Sequence, residues 1–543
     1  MIIIMKPILE IAKAIDLLPD DMELFGQYIS KITPSGLERR FALKKGKYVV
    51  ITAITPTTYG EGKTTVAIGL GMALWQLGKR GIVTLRQPSL GPLFGLKGGG
   101  AGGGAAMLLP HEAINLSLTG DNYKVTAAHN LLSSFIDNHI YRNSPPGINP
   151  EAIFWPRAID INDRALREIM VGVNEKKEGF PHPGKFVLTE ASEVMAILSL
   201  SSSLKDMRTR LGSIIVGLDK GWKPVTAEDI KCAGAMSVIL KDALRPNLIQ
   251  TTEGTPVFVH TGPFANIAPG ISSLIADQLA LTLADYVITE AGFGADLGFE
   301  KLIDIKCRIG GLYPDCAVLV CTVKSLKAHG GNPEGGIAAL TAGLEHLKKQ
   351  IDNVRYFSVP VVVAINKFEN DPNNEISHII KVIETMDIPV VSITPWKDGG
   401  PGVLELGTII EKLCKHPVSS RFLYELDLPV KEKIYRIATT MYGADDIELS
   451  QLAANKIDLI NSLDLSNLPV CMAKTHLSLS HNPRLSGRPV NFTLPIDDIQ
   501  IASGAGFIYP LCGKIYPLPG LPSRPLGEDM DIDTDTWEIK GLT

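Results

Sequence analysis

The segment Thr55–Thr65, TPTTYGEGKTT, holds the densest group of residues able to do chemistry. Gly62-Lys63-Thr64 forms the second half of the phosphate-loop pattern G-x-x-x-x-G-K-[ST], with Thr57 standing where the first glycine of that pattern belongs. The physical roles survive this departure. Backbone N–H groups from Gly60 to Thr64 can line an anion-binding concavity, and a following helix would present its positive N-terminal end. The Lys63 ammonium can reach terminal phosphates, and the hydroxyl of Thr64 or Thr65 can help hold the Mg²⁺ that accompanies a nucleoside triphosphate. The expected nucleotide-binding set is therefore Thr57, Thr58, Tyr59, Gly60, Glu61, Gly62, Lys63, Thr64 and Thr65. Asn366-Lys367 resembles the start of a guanine-reading N-K-x-D motif, but residue 369 is Glu, whose longer side chain misplaces the carboxylate. Adenine is favoured; a plain turn after a strand is the other reading of this pair.

A second group follows at Arg86-Gln87-Pro88-Ser89, then Lys97 and the glycine run Gly98–Gly104. A guanidinium at the end of a strand offers a planar fork for a carboxylate or phosphate; a surface ion pair is the alternative. Glycines let backbone approach a ligand closely, or simply make a flexible loop, so Lys97, Gly98 and Gly99 are candidate substrate contacts. Asp121, after Thr119-Gly120, reads equally as a helix cap or as an acid/base group. Glu290 and Asp296 flank another glycine loop, consistent with an outer role toward Mg²⁺ or substrate. Phe368 and Trp396 each stand just past a strand, where two rings could sandwich a flat substrate or merely pack. The eleven histidines show no metal-ligand spacing.

These residues need elements to position them. Lys47–Ile54 and Gly81–Leu85 are short apolar, β-branched runs of the kind that form buried parallel strands, and Thr64–Leu77 between them reads as a helix. Further strands are expected at Thr255–Val259, Tyr286–Thr289, Ala317–Val323, Val359–Ile365 and Pro389–Thr394. The rhythm is that of a doubly wound, mainly parallel α/β sheet with a phosphate loop. Residues 7–45 read as helical. Residues 151–252 interrupt the rhythm as an inserted α+β module, and from about residue 426 the chain reads as a β-rich module. The expected organisation is thus a discontinuous nucleotide-binding domain (1–150 and 253–425), an insertion (151–252) and a C-terminal module (426–543).

Composition supports a globular protein: of 543 residues, 45% are apolar and 20% charged. The net charge of −5 argues against a general nucleic-acid binder. No window approaches the roughly 18 uninterrupted apolar residues of a membrane helix, and the N-terminus lacks a signal-peptide pattern. Seven cysteines without a C-x-x-C suit the reducing cytoplasm.

The ordered blocks TPTTYGEGKTT, RQPSLGP, LKGGGAGGG, NLSLTGD, EGTPVFVHTGPFANIA, TEAGFGADLG and PVVVAINKF resemble those of the formate–tetrahydrofolate ligase family, and the likeness covers nearly the whole chain. The resemblance implies that MgATP phosphorylates formate to formyl phosphate, which N10 of tetrahydrofolate then attacks. It also implies catalytic roles for Lys63, Arg86 and Asp121, ring stacking by Trp396 with Phe368 as partner, and a cytoplasmic homotetramer. The sequence departs from the family pattern at Gln87, Ser117, Tyr123 and Pro269, where a glutamate and three histidines are expected. Gln87 implies a weakened monovalent-cation site. Without the resemblance, another ATP-dependent carboxylate ligase and a nucleotide-switched ATPase are the competing readings; the second glycine loop, Arg86 and the aromatic pair favour a ligase.

Overall fold

The apolar runs assemble into one large sheet. The computed structural model describes residues 5–40, 46–95, 98–173 and 180–542. Ten strands form the main path of this sheet: β1 (Met22–Phe25), β2 (Ile29–Ile32), β3 (Lys47–Ala53), β4 (Gly81–Leu85), β5 (Asn247–Thr251), β6 (Pro256–Val259), β7 (Tyr286–Glu290), β8 (Cys316–Cys321), β9 (Val361–Asn366) and β10 (Val390–Ile393). Their spatial order is β1-β2-β5-β6-β4-β7-β3-β8-β9-β10. From β6 to β10 every pairing is parallel, while β1, β2 and β5 add an antiparallel flank.

Parallel strands are covered on both faces, which explains why β3 and β8 read as unbroken apolar runs. Successive side chains still alternate: Tyr48 and Val50 enter one core, Val49, Ile51 and Ala53 the other. Helix α1 (Lys63–Gln76) follows β3 and is buried continuously from Val66 to Leu74. The chain leaves β3 to one side for β4 and β6, returns to β7 between β4 and β3, and then crosses to β8, β9 and β10. That reversal opens a crevice at the C-terminal ends of the central strands, where open α/β sheets bind ligands.

Three expectations change. Within residues 7–45 only Ile8–Lys13 and Pro34–Arg40 are α-helical, separated by the β1–β2 hairpin; residues 41–45 lie outside the described residues. Pairing of β2 with β5 decides this, since Ile29–Ile32 is fully buried only as part of the sheet. Strand β5, read as the end of the insertion, also belongs to the central sheet, whereas Ile148–Ile153, which straddles the expected start of that insertion, pairs with Ile215–Asp219 outside the central sheet. The C-terminal segment is mixed and not β-rich: helices Val430–Ile437 and Gln451–Ser462 accompany three two-stranded ladders. In VKEKIYRI the buried Val430, Ile434 and Ile437 recur at helical spacing, a signal masked by the Pro- and Gly-rich sequence downstream.

Candidate active site

The loop after β3 is held from two sides. Gly62 enters α1 at φ +75°, a left-handed conformation that glycine adopts without a Cβ penalty. The Asn366 side-chain amide, at the end of β9, donates to the Glu61 carbonyl at 3.1 Å. This explains Asn366-Lys367: the buried asparagine supports the loop. The Glu61 carboxylate accepts from the Thr57 N–H at 3.0 Å and the Thr57 hydroxyl at 3.2 Å. Burial raises its pKa, and Lys63 opposes that shift. The first N–H groups of any helix have no intrahelical acceptor, and no side-chain cap takes them up at the start of α1 among the described residues. Lys63 is the first residue of this helix, and Lys324 lies over the ring of Tyr59, 4.5 Å from its centroid.

Glu290, the last residue of β7, lies beside this helix start. Its carboxylate accepts from the Thr64 hydroxyl at 2.6 Å and stands 4.0 Å from the Arg86 guanidinium. Arg86 also donates to the Pro263 carbonyl at 3.4 Å. Thr64, Glu290 and Arg86 line a cavity of about 170 Å³ together with Gln87, Gly98, Gly99, Phe264 and Phe293. A hydroxyl in the first turn of α1 and a carboxylate at the end of β7 are oxygen donors suited to Mg²⁺, so the residues present fit the ion; Thr65 follows Thr64 on α1. Gln87 is almost fully buried, and its side-chain carbonyl oxygen has no partner among the described residues.

The aromatic pair is exposed and not packed into a core: Phe368 is 46% and Trp396 59% accessible. They stand at the ends of neighbouring strands β9 and β10. The glycine loop reaches Trp396 directly, since the Ala105 N–H donates to the Trp396 carbonyl at 2.8 Å. A Cβ on Gly104 would lie 2.1 Å from that carbonyl oxygen, so the close approach requires glycine. One loop thus runs from the Arg86 cavity to the exposed indole. Lys97 lies outside the described residues.

Asp121 is placed differently from the other candidates. It begins helix α2 (Asp121–Tyr141), yet its side chain does not cap the helix. It is buried and ion-paired with Lys31 at 2.8 Å, and it accepts from Asn247 at 2.9 Å. Its connection to the cavity wall runs through neighbours: Asn122 donates to the Pro88 carbonyl at 3.1 Å, and Gln87 to the Ser117 carbonyl at 3.5 Å. Asp296 is likewise internal, bound by Gln350 at 2.9 Å and Lys474 at 3.0 Å. Sequence reasoning missed Lys31, Phe264 and the loop-supporting role of Asn366. Lys31 has no local signal, because its partner is 90 residues away.

The fold and site define a class: an α/β protein with a large, mostly parallel central sheet, an uncapped helix start after β3, an adjoining arginine–carboxylate pocket and two exposed aromatic side chains, Phe368 and Trp396. The family model for formate–tetrahydrofolate ligase matches residues 2–543. A formate–tetrahydrofolate ligase of Roseiflexus castenholzii is 48% identical across 99% of this chain and 98% of its own. One from Desulforamulus reducens is 48% identical across 97% and 96%, and one from Saccharopolyspora erythraea 46% across 99% and 98%. The chain belongs to the formate–tetrahydrofolate ligase family and is a ligase.

Proposed function

We propose that this protein joins formate to N10 of tetrahydrofolate at the expense of ATP, through formyl phosphate, releasing 10-formyltetrahydrofolate, ADP and phosphate. The observation that carries the reading is the contact chain Thr64–Glu290–Arg86, which sets a helix N-terminus, a carboxylate and a guanidinium around one small cavity. The loop Thr57–Gly62, with Lys63, Thr64 and Thr65, holds the ATP phosphates. Thr64 and Glu290 hold Mg²⁺, directly or through water; when bound, the ion neutralises charge on the β- and γ-phosphates.

Arg86 holds formate against the terminal phosphate, supplying proximity and charge neutralisation. A formate oxygen forms a bond to the γ-phosphorus as the bond to the ADP oxygen breaks. N10 then attacks the formyl carbon, Arg86 and Lys63 stabilise the oxyanion, and the C–O bond to phosphate breaks as the N10 proton passes to the departing phosphate. Phe368 and Trp396 hold the flat ring of the folate, with Gly98, Gly99 and Lys97 forming the loop that joins the two subsites. Asp121 acts by positioning, since its ion pair with Lys31 occupies it behind the wall formed by Gln87 and Pro88. Gln87 offers a monovalent cation only an amide oxygen, so activation by such ions is weak. Family resemblance extends the proposal to a homotetramer working in the cytoplasm; among the described residues no helix is long and apolar enough to cross a membrane.

The test is product formation from formate, MgATP and tetrahydrofolate by the purified protein, with each substrate omitted in turn. Turnover that accepts acetate equally and dispenses with tetrahydrofolate would defeat the assignment.

A further inference from the structure

Two buried histidines that the proposed chemistry does not use join the root of the phosphate loop to a distant part of the chain. Helices α3 (Val323–His329) and α4 (Ile337–Tyr356) cross closely beside Gly330 and Gly343. A Cβ on Gly343 would lie 1.8 Å from the Leu326 carbonyl oxygen, and one on Gly330 would lie 1.8 Å from that of Ala339. The close crossing stacks the His329 and His346 rings, with centroids 3.9 Å apart and planes 14° from parallel.

The hydrogen bonds form a closed circuit. The Thr55 N–H donates to His346 Nε2 at 3.2 Å, and His329 Nε2–H donates to the Thr55 carbonyl at 2.8 Å. On the other side, the Gly487 N–H donates to His329 Nδ1 at 3.3 Å, and His346 Nδ1–H donates to the Gly487 carbonyl at 2.8 Å. Each ring therefore has one donor and one acceptor nitrogen, which makes both neutral and of opposite tautomers. Burial lowers both pKa values. His329 and then Lys474 push His346 further down, while the Thr55 carbonyl and Asp296 pull His329 upward. Gly487 is itself constrained: φ is +73°, and a Cβ would lie 2.7 Å from the His329 carbonyl oxygen.

We infer that His329 and His346 are positioning residues for the phosphate loop, acting as one neutral pair that grips both backbone polar atoms of Thr55 and fixes them to Gly487. Thr55 lies two residues past the end of β3, where the loop begins, so a shift there moves every phosphate donor downstream. The inference rests on the reading of that loop as the ATP site.

The experiment compares two replacements of similar polarity. A glutamine amide reaches the position of an imidazole Nε2, so His346→Gln keeps the acceptor for Thr55. An asparagine amide reaches only the Nδ1 position, so His346→Asn keeps the Gly487 contact and leaves the buried Thr55 N–H unpaired. An unpaired buried donor costs enough to give roughly a tenfold rise in the KM for ATP in His346→Asn, with His346→Gln within about threefold of the native enzyme. The KM values for formate and tetrahydrofolate should stay unchanged in both. Equal ATP KM values in two folded variants would overturn the inference. If both replacements prevent folding, Gly487→Ala decides: an unchanged ATP KM in that variant overturns the linkage, and a rise supports it. Lys63→Ala separates this from the underlying reading, because undisturbed ATP kinetics in Lys63→Ala would place the fault in the assignment of the loop.

Discussion

Asp121→Asn tests whether Asp121 touches the reacting atoms or holds the fold. Lys31 is fully buried and Asp121 is 2% exposed, with 2.8 Å between their charged atoms. At an effective dielectric constant near 20, that separation corresponds to an attraction of about 6 kcal/mol, which the desolvation of both ions largely offsets. Removing one partner leaves the other buried and uncompensated, at a cost of about 3–5 kcal/mol. The asparagine oxygen can still accept from Lys31, and Lys31 keeps the Arg245 carbonyl at 2.9 Å, so the lower end, about 3 kcal/mol, is expected. The sign of the pH dependence follows. Burial already lowers the Lys31 pKa from 10.5, opposed by Asp121; loss of the carboxylate lowers it further. The unfolded lysine keeps its proton to higher pH, so the folded variant loses its penalty first, and the deficit shrinks as pH rises from neutrality towards 10. The assay is the denaturant midpoint and kcat measured on the same samples, for Asp121→Asn and for the double variant Lys31→Met, Asp121→Leu. Replacing both charges with apolar groups should restore stability, and kcat should recover with it. Native stability with kcat reduced about a hundredfold in Asp121→Asn, or a stable but inactive double variant, would refute the structural role.

Lys63→Ala should cut kcat by about 10²–10³ with little change in folate affinity; near-normal turnover would show that the loop is not the phosphate cradle. Trp396→Ala should weaken tetrahydrofolate by about 1 kcal/mol, leaving the formate KM unchanged, as read from initial rates against each substrate. Native enzyme should show weak or no saturable activation by potassium at constant ionic strength, and Gln87→Glu should create or strengthen it. Strong activation that is equal in both proteins would remove Gln87 from control of the ion.

The sequence by itself determined what short-range patterns encode. The apolar runs at Lys47–Ile54 and Gly81–Leu85 matched β3 and β4 within a residue, because strands buried on both faces must be continuously apolar. TPTTYGEGKTT placed a glycine turn and a helix start after β3, because a positive φ at Gly62 and an uncapped helix are local requirements. Tertiary structure decided whatever depends on distant partners. Met22–Ile32 became a hairpin because β5 offered it a sheet edge. Asp121, from sequence a cap or an acid, became an ion-pair partner because folding brought Lys31 to it. Asn366 became a support of the loop after β3 because β9 lies two strands from β3. The neutral histidine pair joins residues 55, 329, 346 and 487. No sequence window contains it, because its tautomers are set by hydrogen-bond partners that only the packed fold supplies.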